Sequence, residues 1–368
     1  MGRWARAYPL PVVPVIFADA MRVFLTGGTG LLGSHAAERL RGRGYEVVAL
    51  VRGTSDASFL EALGVERVVG DLGDPPDRLA AAMRGCDAVV HAAAIVHRRL
   101  SWDGYRRVNV EGTERVLRAA AEAGARRVVH ISSIAVYGRV SDRARVTEEE
   151  WREGEIAEGN FYARSKREAE EAAWRLHGEG AITLTTLRPG VVYGERDRLF
   201  TPILARLVSL PVVPLPGGGH STVPVVYAGS VADAVVAALE RETAIGRAYN
   251  LSEDRPLTAR ALVERFARAL GRSPGLLSLP PGAVLAVASA LDIVLGLLPG
   301  VAAPDLRRAA RLLLRDNPYD SSRARLELGW TGWVSVEEAL DRTAAWYRAS
   351  RRPGSARRRG TGASLRTE

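Results

Sequence analysis

The chain is almost without lysine. It carries 51 basic residues, and only Lys166 among them is not arginine. Arginine stands wherever a generic cation serves, so a lysine that persists alone reads as one whose amine chemistry a guanidinium cannot supply. Cysteine is as scarce. Cys86, in Gly85-Cys86-Asp87-Ala88, is the only one. That excludes a disulfide framework and any multi-cysteine metal site, and it reads as a buried, inert thiol. The histidines at 35, 91, 97, 130, 177 and 220 show no ligand-helix spacing, so no metal is expected. His97, after the fourth predicted strand, reads as a surface or structural residue ahead of a substrate contact.

Long apolar runs are also lacking. Residues 1–20 hold Pro9, Pro11 and Pro14 and no signal-peptide core. Met21 opens a strand at once, so residues 1–20 read as a leader outside the fold, with the cytoplasm as default location. The most apolar stretch, Leu276–Pro299, is interrupted by Pro280-Pro281-Gly282 and leaves about 17 residues, marginal for a bilayer span. A helix packed within a smaller lobe is the favoured reading, and a helix lying on a membrane surface through 283–298 is the alternative.

The net charge is +9. From Arg348 onward, however, seven arginines face one glutamate, so most of the excess belongs to a Gly/Ser/Arg-rich end that reads as a disordered tail, 348–368. No nucleic-acid partner is expected. The remainder, 47% hydrophobic and 25% charged across the chain, suits one large domain with a second lobe.

Apolar, β-rich runs at 22–25, 45–51, 67–69, 88–92, 127–131 and 182–187 alternate with helical patterns at 32–41, 78–83, 109–123 and 163–176. Such alternation predicts a parallel sheet covered on both faces, an α/β Rossmann fold over 21–190. After Pro189 the rhythm breaks into Pro/Gly-rich loops, with helices expected at 230–240, 258–270 and 336–349. This part, 191–347, reads as a smaller, mostly helical substrate lobe with some segments returning to the sheet.

Thr26-Gly27-Gly28-Thr29-Gly30-Leu31-Leu32-Gly33 follows the first strand and opens the first helix. Glycines 27, 30 and 33 permit a tight turn, backbone approach to a pyrophosphate and close helix packing, and the helix N-terminus offers free N–H groups. The second strand ends at Val51-Arg52, where NAD sites usually carry an acid. Arg52 can instead pair with a 2′-phosphate, so NADP(H) is favoured and NAD(H) stays open; a solvated arginine is the competing reading. Asp71, ending the third strand before Leu72, can accept from an adenine amino group or serve a turn.

Tyr162-Ala163-Arg164-Ser165-Lys166 puts a phenol and an amine at i and i+4 on one helix face. The ammonium is expected to lower the phenol's pKa. Ser132 and Ser133 supply hydroxyls at the end of a central strand, where a parallel sheet exposes its crevice.

Together these residues resemble the extended short-chain dehydrogenase/reductase superfamily from Met21 to about Arg348. The motifs are TGGTGLLG, GDL at 70–72, HAAA at 91–94, NVEGT at 109–113, SSIAVYG, YARSK and LRPGVVYG at 187–194. The resemblance implies Tyr162 as general acid/base, Lys166 holding the nicotinamide ribose, and Ser133 bonding the substrate oxygen. Asn109 would support the site through backbone or water contacts, or else is an ordinary helix N-cap. Ala92, Ala93 and Ala94 would let the cofactor lie against the fourth strand, and Pro189 and Gly190 would lie near the nicotinamide. In sugar-nucleotide dehydratases of this superfamily Asp-Glu follows the catalytic hydroxyl; here Ile134-Ala135 does. Val223 stands where nucleotide-sugar epimerases carry a diphosphate-binding arginine. Arg52, the apolar 283–298 segment and Arg325–Trp330 resemble the 3β-hydroxysteroid dehydrogenase and dihydroflavonol reductase branch. The implied function is hydride transfer between nicotinamide and a hydroxyl or keto carbon of a hydrophobic small-molecule substrate. A nucleotide-sugar epimerase and a non-catalytic cofactor-binding regulator remain alternatives, as does a homodimer.

Overall fold

A computed structural model describes residues 21–96, 100–140, 145–253, 257–296, 306–314, 316–332 and 334–351. The proposed leader, His97 and the tail beyond Arg351 lie outside these. Eleven strands occur among the described residues: β1 (Arg22–Thr26), β2 (Glu46–Val51), β3 (Glu66–Val69), β4 (Ala88–His91), β5 (Arg127–Ile131), β6 (Thr183–Pro189), β7 (Val191–Tyr193), β8 (Val212–Pro216), β9 (Val225–Tyr227), β10 (Arg247–Leu251) and β11 (Gly275–Leu279). The chain divides into two compact units. The first takes the described residues of Met1–Val192, Pro224–Pro256 and Asp316–Val334; the second takes those of Tyr193–Val223, Leu257–Arg315 and Ser335–Glu368.

The first unit is a Rossmann fold. Seven of its strands form one sheet in the order β10-β6-β5-β4-β1-β2-β3, all parallel. The order reverses between β1 and β4, and a parallel sheet opens its ligand crevice beyond the carboxyl ends of strands at such a reversal. Side chains alternate across the sheet with period two. Val23, Leu25, Val90 and Val129 pack one face against Leu40 of the Leu31–Gly42 helix and Val231 and Val235 of the Ala228–Glu240 helix. Phe24, Val89 and Val128 pack the other against Met83, Leu117 and Leu176. The seventh strand, β10, went unread in the sequence because its five residues include the polar Arg247 and Asn250, which mask the apolar run.

The second unit is built of helices, with β8 and β11 forming a parallel pair. The apolar 276–299 stretch therefore holds a strand followed by a helix, Pro281–Gly296, that starts at the proline pair. The last helix corrects one boundary: it runs Val336–Ser350, so Arg348 belongs to it rather than to the tail. The Ser350 hydroxyl donates to the Tyr347 carbonyl and Arg351 lies over the Tyr347 ring, which carries the helix to its end.

Candidate active site

At the end of β1 the backbone itself shapes the site. Gly27 has φ +74°, and a Cβ there would fall 2.7 Å from the Ala93 nitrogen; one on Gly33 would fall 2.1 Å from the Gly27 carbonyl. Neither position admits a side chain. Gly30 differs, since its Cβ would meet only the Gly27 carbonyl, at 3.2 Å. It is exposed, between half-buried Thr29 and half-buried Leu31 and Leu32. The Leu31–Gly42 helix starts with no side-chain cap and no acid in its first turn, so no capping side chain satisfies its first N–H groups. Unsatisfied N–H groups at a helix start favour a phosphate. The Ala92 and Ala93 nitrogens are tied to Thr26, through its carbonyl at 3.3 Å and its Oγ1 at 3.3 Å, and Ala92–Ala94 are half-exposed at the end of β4. These residues fit a dinucleotide.

At the end of β2, Val51 is buried and Arg52 is exposed. Asp71 is exposed and already closes a turn, its Oδ1 accepting from the Gly73 nitrogen at 2.9 Å. Leu72 is buried under Gly112 of the NVEGT motif, whose Cβ would come within 3.1 Å of the Leu72 Cβ.

Ser133 sits in extended backbone at the end of β5, where its Oγ accepts from the Ala135 nitrogen. Its hydroxyl also hydrogen-bonds the Tyr162 phenol, the one contact that favours the phenolate. Burial outweighs it and raises the phenol above its usual value. The expected lowering by Lys166 is absent, because the amine points elsewhere. Lys166 Nζ donates to the Ile131 carbonyl at 2.7 Å, and burial brings its pKa down to about 8 against the opposing charge of Glu170. Pro189 ends β6 and Gly190 follows it. A Cβ on Gly190 would lie 2.4 Å from the Pro224 carbonyl, so this glycine serves chain packing in the first place.

Asn109 is not a helix N-cap. It lies within a π-helical segment, Arg106–Glu111, inserted between the Trp102–Tyr105 turn and the Gly112–Ala123 helix. The wider π turn re-aims one side chain, a geometry frequent at functional sites. Its amide accepts from the Ile95 nitrogen at 2.7 Å and donates to the Ile95 carbonyl and to Ser165 Oγ, at 3.0 and 2.9 Å. Ser165 in turn donates to the Tyr162 carbonyl. Asn109 thus ties the loop after β4 to the helix bearing Tyr162 through its side chain.

Beneath lies a row of polar residues in register across four strands: Thr26, His91, His130 and Thr186. His91 is held between Thr26 Oγ1 at 2.8 Å and Thr113 Oγ1 at 2.9 Å. Burial, then Lys166, brings its pKa to about 3, so its ring is neutral. His130 is likewise pushed well down, and among the described residues its ring nitrogens and the Thr186 hydroxyl have no hydrogen-bond partner.

Sequence reasoning missed Glu170 and Arg188. Both are fully buried and form an ion pair at 2.5 Å. Glu170 also accepts from Ser132 Oγ at 2.5 Å and from the Trp174 indole at 3.1 Å. Ser132 is therefore engaged away from Ser133. Arg188 donates to Tyr137 Oη and the Glu148 carbonyl, both at 2.8 Å. The available signals were position: Glu170 is one turn beyond Lys166, and Arg188 lies inside LRPG.

Residues 23–252 match the NAD dependent epimerase/dehydratase family. A 4-hydroxy-2-methyl-3-oxo-4-farnesyl-3,4-dihydroquinoline-1-oxide ketoreductase of Stigmatella aurantiaca is 32% identical over 87% of this chain and 95% of its own length. A 2-alkyl-3-oxoalkanoate reductase of Shewanella oneidensis is 30% identical over 89% of this chain and 87% of its own. Among solved structures, DesIV, a dTDP-glucose 4,6-dehydratase from Streptomyces venezuelae with NAD and TYD bound, matches with a TM-score of 0.69 at 26% identity, over 90% of this chain and 98% of that one. With its glycine loop, uncapped helix and Ser133–Tyr162–Lys166 grouping, this chain is an NAD-binding enzyme that belongs to the NAD-dependent epimerase/dehydratase family.

Proposed function

We propose that this enzyme is an NADP(H)-dependent reductase or dehydrogenase of a lipophilic ketone or alcohol. The observation that carries the reading is the hydrogen bond between Ser133 and Tyr162 at the mouth of the sheet, followed by apolar Ile134 and Ala135. Two hydroxyls that touch each other can both reach one carbonyl oxygen. The nicotinamide, when bound, supplies or takes up hydride at the carbonyl carbon. Tyr162 gives its proton to the oxygen as charge develops there, while Ser133 donates a hydrogen bond to the same atom. Lys166, anchored on the Ile131 carbonyl beneath, is placed to hold the ribose.

Water elimination needs a further acid and base, and Ile134 and Ala135 supply neither. Val223 is fully buried and apolar, so it offers nothing to a sugar diphosphate. The two reductases similar to this chain are named for ketones bearing farnesyl or alkyl groups, which supports a hydrophobic substrate. The exposed Arg52, with no acid beside it at the end of β2, favours the 2′-phosphate of NADP(H).

The test offers a 2-alkyl-3-oxo acid, a 3-ketosteroid and an isoprenoid-bearing ketone with each reduced cofactor, beside UDP-glucose with each oxidised one. Net cofactor oxidation with a lipophilic ketone is the expected result. Interconversion of UDP-glucose with no net cofactor change would make this an epimerase instead. Arg52→Ala should weaken NADP(H) binding at least about tenfold and leave NAD(H) nearly untouched, as charge-assisted hydrogen bonds are worth about 1.5–3 kcal/mol each. Equal weakening of both in a calorimetric titration would reject the phosphate contact.

A further inference from the structure

The Pro281–Gly296 helix is apolar on both sides, yet the second unit uses only one of them. Val284 and Ala288, one turn apart, pack on Leu306 and Ala310 of the Leu306–Leu313 helix. Asp292, the only charged residue of the 281–296 helix, faces the same way: its two oxygens accept from the Leu306 and Arg307 nitrogens at 2.8 and 2.9 Å. The opposite side therefore carries no charge. On it Val287, Leu291 and Val294 follow one another at helical spacing, with Ile293 beside them, and they are exposed by 43, 39, 56 and 65%. A contiguous apolar face of this kind marks a contact surface.

Charge tells what kind of partner fits. Among the described residues, the second unit holds 13 arginines against seven acids, and the first holds 26 basic and 30 acidic residues. Among the described residues the positive excess thus falls in the unit that bears the apolar face. Arg307 and Arg311 are exposed on the Leu306–Leu313 helix, which packs against it. A second copy on this face would bring two strongly cationic units together, which charge repulsion opposes. An anionic partner with an apolar interior satisfies both features.

We propose that the outward face of the Pro281–Gly296 helix rests on the surface of a bilayer containing anionic lipid. Val287, Leu291, Ile293 and Val294 enter the acyl boundary, and Arg307 and Arg311 meet lipid phosphates. At about 1.5 Å per residue, sixteen residues reach roughly 24 Å, short of a hydrocarbon core of about 30 Å, and no described helix is long and apolar enough to cross a membrane. The helix lies on the bilayer with its exposed apolar face in the acyl boundary, and the basic residues come from the neighbouring helix rather than from its own other face. Such docking would place the second unit where lipophilic molecules are concentrated, but it does not rest on the substrate reading, because it is measured without turnover.

The experiment pellets the full chain with vesicles of phosphatidylcholine, with and without phosphatidylglycerol. Binding should be at least about tenfold stronger with the anionic lipid and should weaken at an ionic strength of about 1 M. Ile293→Glu with Val294→Glu changes only exposed side chains, so melting temperature and NADPH affinity should hold while vesicle binding falls at least about tenfold. This variant keeps every arginine, including those of the tail. Arg307→Gln with Arg311→Gln should cost about fivefold or more. The proposal is overturned if anionic vesicles leave the protein in solution, or if the double glutamate variant pellets as well as the parent. It is overturned equally if sedimentation velocity shows a dimer that this variant dissociates while vesicles bind neither form.

Discussion

Beyond β1 and β4 the first unit presents bare backbone; at the ends of β5 and β6 it presents buried, ionisable side chains. At the first end, Gly27 and Gly33 are fixed by carbonyls and nitrogens that leave no room for a Cβ, and no charged side chain caps the helix. At the second, Lys166, Glu170, Arg188 and His130 are all withdrawn from solvent, with Glu170 and Arg188 paired and Lys166 on the Ile131 carbonyl. A backbone site is as robust as the turn that forms it. A side-chain site stands or falls with every partner, since a buried charge left unpaired is costly.

The sharpest way to break this contrast is at Tyr162 and Lys166. Tyr162→Phe removes the proton donor and should lower turnover at least about a hundredfold. Lys166→Arg should fold, yet lose most turnover, because a forked guanidinium cannot occupy the amine's place on the Ile131 carbonyl. Steady-state kinetics on the ketone found active in the panel checks both. Near-parent rates in either variant would remove that residue from the chemistry.

Next in size is Glu170→Gln. Leaving Arg188 buried without its partner should cost about 3–5 kcal/mol, read from denaturant unfolding. The variant also has a pH signature that a merely structural loss lacks. Lys166 holds its proton less tightly folded than unfolded, so it penalises the fold below pH about 8 and the penalty lifts as pH rises toward 10.5. Glu170 is what holds that pKa up. Without it the pKa falls, and the rise in stability with pH should begin at a lower pH. Subtracting the same profile for Lys166→Met isolates the lysine from the tyrosines, which titrate in the opposite sense. An unmoved onset would mean that Glu170 does not govern Lys166.

The smallest effect is expected at Gly30. With only one contact at 3.2 Å, Gly30→Ala should keep its melting temperature within a few degrees and weaken the dinucleotide about tenfold, by standing between the helix start and the phosphates. Gly33→Ala, pressed against the Gly27 carbonyl, should instead impair folding. If both variants behaved alike, the division between a packing glycine and a binding glycine would fail.

The same contrast explains what could be read from the amino acids. The glycine loop was legible because its constraint is local: three glycines, a strand before and a helix after. Tyr162 and Lys166 were legible because one helix turn sets their spacing. The six early strands announced themselves by apolar runs, all but β3 buried on both faces. Glu170 and Arg188 were not legible as partners, because a salt bridge in a rearranged parallel sheet joins residues that no local pattern links. Asn109 was found, but its alternative reading as a helix N-cap fails, since a π-helical insertion leaves no mark in the apolar periodicity. β7 and β9, of three residues each, are too short to show a period, while β8, β10 and β11 are as long as β1 but are broken by Pro214 and Pro216, by Arg247 and Asn250, and by Gly275 and Ser278.

A protease that cuts only after lysine has one bond to attack in this chain, between Lys166 and Arg167. That bond lies within the Phe161–Gly178 helix, with the lysine side chain buried beneath it. Cleavage must wait for that helix to open, so the appearance of two fragments clocks the opening of this one segment, with no signal from the other arginine-rich surfaces. Bound dinucleotide should slow the clock in proportion to its occupancy. By discarding every other lysine, the chain has become its own site-specific reporter of motion in the helix that carries Tyr162.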